Sequence, residues 1–96
     1  MHGYRDESLE NLVKAIINID SEEECYAFLD DLCTIRELQD MAQRFETAVL
    51  LTNGMNYQQI AEKVGASTAT ISRVNRCLQY GEGGYKAVIE KIGKQD

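Results

Sequence analysis

The sequence predicts an all-α fold of six helices, and three observations carry that expectation. The 96 residues contain no proline, so nothing in the chain breaks a helix by ring clash or by removing a backbone N–H. Apolar residues recur at three- and four-residue intervals along most of the length, the period of a helix with one covered face. Between those stretches stand capping and stop signals, with none of the alternating patterns that mark strands. Length and a hydrophobic fraction of 44% fit a single domain over residues 1–96.

Leu9, Leu12, Val13, Ile16 and Ile17 give the first helix one apolar stripe, interrupted at Asp20-Ser21. Ser21 and Glu24 form a capping box, in which the serine oxygen accepts from the third amide and the glutamate reaches back. Cys25, Phe28, Leu29 and Leu32 make the second helix. Thr34 with Glu37 opens the third and longest, with Ile35, Leu38, Met41, Ala42, Phe45, Ala48 and Val49 inward, and Asn53-Gly54 closes it with a left-handed stop.

Asn56 caps a short fourth helix with Ile60 and Val64 inward, and Ala61 stays small where another helix must cross. Gly65 turns the chain where other residues would be strained. Ala66 faces inward, and Ser67 caps a fifth helix that buries Ile71, Val74 and Leu78. Gly81, Gly83 and Gly84 form a flexible joint before Tyr85, Val88, Ile89 and Ile92, which give the sixth helix up to Gly93. The apolar stripes of the first, third and last helices exceed what so short a chain covers by itself. A homodimer that buries them against a second copy is therefore expected, in preference to a compact monomeric bundle.

Charge is segregated. From Asp6 to Glu46 twelve acids face three bases, a balance of −9, whereas from Met55 to Tyr80 Lys63, Arg73 and Arg76 face only Glu62, a balance of +2. A chain of net charge −6 is unsuited to coating nucleic acid at large, but one basic face can still dock on phosphates.

That basic segment is a helix-turn-helix over residues 56–78: helix, glycine turn, helix, with a small residue at the crossing. Its second helix leaves Ser67, Thr68, Ala69, Ser72, Arg73 and Arg76 outside. Small side chains near the helix start enter a major groove deeply, where hydroxyls meet base edges and alanine meets a thymine methyl. The free amides at that end suit a phosphate oxygen, and Arg73 and Arg76, or Gln58 and Gln59, pin the backbone. An ordinary solvated hairpin would carry Glu and Lys on this face instead of Ser-Thr-Ala-Thr.

Other chemistry is not expected. The only histidine is His2, leaving no base for a Ser/His/Asp or Cys/His arrangement, so the chain is not read as an enzyme. Consecutive Glu22, Glu23 and Glu24 splay around a helix and offer no convergent metal site. The YGEGGY glycines lack the context of a phosphate loop. No metal or cofactor is expected. Cys25, Cys33 and Cys77 form no CxxC pair and read as reduced, mostly buried thiols of a cytoplasmic protein. No apolar run approaches a membrane span.

The stretches TIRELQDMAQRF, from Thr34, and EKVGASTATISR, ending at Arg73, resemble the Trp-repressor superfamily, in its YerC/YecD-like branch, and the resemblance runs from about Ser21 to Ile92. It implies a six-helix Trp-repressor-like fold, an interlocked homodimer, and the fourth and fifth helices as a head that reads double-stranded DNA at a palindromic operator. It places Thr68, Ala69 and Ser72 at base edges and Gln58 and Thr70 near the backbone. Thr34, Arg44 and Arg73 match residues that line the tryptophan pocket of tryptophan-responsive members. Val74 stands where those have glycine and Cys77 where they have serine, so free tryptophan is not the expected ligand. An extra methylene in a closely shaped site already costs about 1–3 kcal/mol. Arg44 is expected to pair with a carboxylate of the acidic half instead. The reading is a homodimeric transcriptional regulator, a repressor because no separate activating surface is visible. A helical dimer that docks a protein partner is the alternative, favoured by the overall acidity.

Overall fold

The computed structural model describes residues 3–93 and contains six helices in the expected order: α1 Glu7–Ile17, α2 Glu22–Leu32, α3 Ile35–Thr52, α4 Tyr57–Val64, α5 Thr68–Tyr80 and α6 Gly84–Gly93. No strand occurs among the described residues. His2 lies outside them. The chain divides after Ile35 into two compact units, the first holding α1 and α2 and the second α3 to α6.

In the first unit, local chemistry sets the helix ends. Asp6 accepts the Leu9 amide at 3.0 Å and caps α1, and Asn18 ends it by donating its side-chain N–H to the Lys14 carbonyl at 2.7 Å. The Ser21 hydroxyl accepts from the Glu24 amide at 3.0 Å, but Glu24 reaches back to the N–H of Asp20 at 3.2 Å, not to that of Ser21. The predicted box is thus displaced by one residue on its return arm. Neither helix buries a residue: Val13, Ile16, Tyr26 and Leu32 are exposed, and Ile17 is 74% exposed. Cys25, Phe28 and Leu29 are half-buried.

The second unit holds the core, in two clusters. Leu50, Ile60, Ala66 and Ile71 form one, with Leu51, Met55, Ala61 and Val64 packed around it. Ala48, Val74 and Leu78 form the other, against Leu51, Tyr85 and Ile89. Each joins α3 to the α4–α5 hairpin, and the second adds α6. The buried positions of α3 are Thr47, Ala48 and Leu50, a correction to the inward stripe expected along the whole helix. Ile35 is 76% exposed, Met41 and Ala42 are exposed, and Leu38, Phe45 and Val49 are half-buried. The two clusters take residues of α3 only from Ala48 onward, so its first half has nothing of the clusters to bury against.

Thr47 is buried without penalty because its hydroxyl donates to the Gln43 carbonyl at 2.7 Å. Gly54 ends α3 at φ 88°, as Asn53-Gly54 predicts. The glycine run before α6 is more ordered in role than a simple joint. Gly81 caps α5, and a Cβ there would collide with the Cys77 carbonyl. Gly83 takes φ 84°, and Gly84 already belongs to α6.

Candidate nucleic-acid interface

The hairpin is built by two caps and one left-handed glycine. Asn56 and Gln59 form a full capping box at the start of α4: the Gln59 amide donates to Asn56 Oδ1 at 2.9 Å, and the Asn56 amide donates to Gln59 Oε1 at 3.2 Å. Gly65 follows α4 at φ 72°, with nothing within 4 Å of where a Cβ would stand, so backbone conformation and not crowding requires glycine there. Ser67 then caps α5, its Oγ accepting from the Thr70 amide at 3.1 Å and lying 3.1 Å from Thr70 Oγ1.

These constraints divide α5 into two faces. Ile71, Val74 and Leu78 are buried, as their spacing predicts. Thr68, Ala69, Ser72, Arg73 and Arg76 are all exposed, together with the cap Ser67. Thr70 is half-buried beside that cap. Of the two α4 glutamines, Gln59 is committed to capping through its side-chain oxygen, whereas the Gln58 side chain is exposed and makes no hydrogen bond among the described residues. The result is a helix N-terminus with small polar side chains, followed within two turns by two exposed cations. Hydrogen-bonding groups near the helix start and positive charge beyond it are a combination suited to a groove flanked by phosphates.

The residues matched to the effector pocket have different surroundings. Val74 is 1% exposed and belongs to the Ala48–Leu78 cluster. Cys77 is exposed, correcting its expected burial; Cys33 and Cys25 are half-buried, and all three thiols are free. Cys77 lines an open, largely apolar groove of about 530 Å³ with Phe45, Tyr85 and Val88. Arg73 is exposed and Arg44 half-buried, while Thr34 belongs to the first unit. Within the described residues of its own unit, Arg44 has no carboxylate partner. Among the described residues α3 instead pairs Arg36 with Asp40 at 3.5 Å, one helical turn apart on the solvent side.

Two positioning roles differ from the sequence expectation: Gln59, expected at the DNA backbone, caps α4, and Gln43 is not singled out. Gln59 shows a legible signal, the N-x-x-Q spacing of a capping box. Gln43, whose Nε2 donates to the Val64 carbonyl at 3.3 Å across 21 positions, shows none. A glutamine in mid-helix looks like any solvated residue until its neighbour across the fold is known.

A sequence model of the Trp repressor protein family matches residues 7–93. The chain is 48% identical over 88 residues to the uncharacterized protein YerC of Bacillus subtilis (strain 168), covering 92% of this chain and 85% of YerC. A TrpR-like protein of Eubacterium eligens ATCC 27750 superposes with a TM-score of 0.92 at 46% identity, over 97% of this chain and 96% of that one. A proposed Trp repressor from Staphylococcus aureus gives a TM-score of 0.90 at 42% identity, over 94% and 90% of the two chains.

Proposed function

The chain belongs to the Trp repressor family, and from that premise we propose that it is a sequence-specific DNA-binding regulator of transcription, acting as a homodimer and as a repressor. The observation that carries this reading is the division of α5: three apolar residues hold it to the core, while Thr68, Ala69, Ser72, Arg73 and Arg76 stand free on the other side. In this reading Thr68, Ala69 and Ser72 meet base edges. Ser67 and Thr70 present the helix start to a phosphate, and Gln58, Arg73 and Arg76 hold the backbone.

The dimer reading is supported by the first unit. Helices of 11 residues are marginal in water unless they pack an apolar face, and α1 and α2 bury no residue within this chain. A second copy, interlocked with the first, supplies the missing cover. Free tryptophan is not the effector. The isopropyl group of Val74 is part of the core, and its packing against Ala48 and Leu78 needs no ligand beside it. No helix among the described residues is long and apolar enough to cross a membrane, in keeping with a regulator that works on DNA in the cytoplasm.

Selection of genomic fragments on the purified protein at moderate salt, followed by alignment of the enriched fragments, tests the proposal. A recurring palindrome with half-sites about one helical turn apart is the expected result, with affinity falling steeply as salt rises. Binding that enriches no sequence and ignores salt would point to a protein-docking dimer, the reading that the net charge of −6 favours. Arg76→Ala is expected to weaken all fragments alike, and Thr68→Ala or Ser72→Ala to change their ranking.

A further inference from the structure

We propose that Gln43 is a positioning residue for the reading head: its side chain fixes the α4–α5 turn on α3 and thereby sets the geometry in which α5 is presented. The inference rests on the DNA-reading assignment above, but its structural half stands apart from it. The last carbonyls of a helix have no partner within the helix. In α4 the Ala61 carbonyl is satisfied by the Gly65 amide at 2.9 Å. The Val64 carbonyl, immediately before the left-handed Gly65, is satisfied by Gln43 Nε2 at 3.3 Å in a part-buried setting.

This is a polar tether at the turn of a hairpin whose packing on α3 is otherwise mainly apolar. The Leu50–Ile60–Ala66–Ile71 cluster fixes the depth of the hairpin, but apolar packing is non-directional and tolerates small rotations. A hydrogen bond to one carbonyl at the turn is directional. It is also supported from beneath, because the backbone carbonyl of Gln43 accepts the hydroxyl of the fully buried Thr47. Gln43 itself is half-buried and lies on α3, not on the exposed face of α5, so it acts through the turn and not by touching DNA.

The test compares Gln43→Met, which keeps the length of the side chain without an N–H, with Gln43→Lys, which restores a donor. Amide exchange at Gly65 to Ser67 is read without DNA. Affinity is read on the duplex most enriched in the genomic selection. Gln43→Met is expected to speed exchange at the turn and weaken binding about fivefold, the scale of one lost hydrogen bond. The ranking of fragments should be unchanged, and Gln43→Lys should return both readouts to within about twofold of wild type. Should Gln43→Met not fold, Gln43→Glu, the same shape without a donor, takes its place. Wild-type exchange and affinity in Gln43→Met would overturn the inference, as would equal losses in the Met and Lys variants, which would make side-chain packing the cause. If the wild-type protein enriches no DNA, the DNA-reading assignment fails by itself, and the exchange comparison still decides whether Gln43 sets the turn.

Discussion

The two units of this chain contain helices of similar quality and differ in what those helices are packed against. In the first, α1 and α2 are well capped by Asp6 and Ser21 and carry clear apolar stripes, yet no residue is buried. In the second, α4 is only eight residues long, but Ile60 is completely buried and the hairpin is joined to α3 through two clusters. Capping and periodicity determine that a helix forms; packing determines whether it contributes to stability within one chain. The second unit carries its own core, whereas α1 and α2 have no buried residue.

The most severe way to probe this contrast is to remove core volume. Ile71→Ala, at a position with no exposure, is expected to destabilise the protein by about 3 kcal/mol in urea unfolding, whereas Ile17→Ala on the exposed end of α1 changes the stability of the chain itself little. Equal losses at both positions, measured at a concentration where the protein is monomeric, would erase the distinction between the units. Next comes the proposed dimer, with the first unit in its interface. Val13→Glu combined with Ile16→Glu is expected to raise the dimer dissociation constant by at least tenfold (about 1.4 kcal/mol or more), read by sedimentation over a concentration series. An unchanged constant would remove α1 from the interface.

Gly65→Ala sits between the two scales. The left-handed conformation at φ 72° should cost about 1–2 kcal/mol with alanine there, even though the Cβ itself has room. A loss below about 0.3 kcal/mol by thermal unfolding would mean the turn relaxes. The smallest effects distinguish cap from reader at adjacent positions. Ser67→Ala removes the acceptor of the Thr70 amide and is expected to cost about 1 kcal/mol. Thr68→Ala, which breaks no hydrogen bond within the chain, should stay within about 0.5 kcal/mol while altering fragment ranking. If Thr68→Ala proved as costly as Ser67→Ala, the exposed side of α5 would be structural and not a reading surface.

The parts of the candidate interface that were legible in the sequence are those that local chemistry decides. Asn56, Gly65 and Ser67 declare their roles by residue type and spacing, and the i, i+3, i+7 positions of Ile71, Val74 and Leu78 fix which side of α5 faces out. Arg44 was not legible, because an acidic chain offers many nominal partners, whereas a pair such as Arg36 and Asp40 lies one turn apart on a single helix. Cys77 is expected among mostly buried thiols but lies exposed, on an open groove with Phe45 and Tyr85, because its position on α5 falls outside the Ile71, Val74 and Leu78 stripe.

The sequence by itself therefore determined six helices, the Asn56, Gly65 and Ser67 turn signals, and the outward residues of the helix-turn-helix, since each depends on groups no more than about four positions apart. Tertiary structure alone decided which apolar stripes are covered, that α3 buries only its second half, and that Gln43 meets Val64 across 21 positions. A helix pattern states which side is apolar; what lies against that side depends on how distant segments close upon one another, and no local spacing encodes that contact.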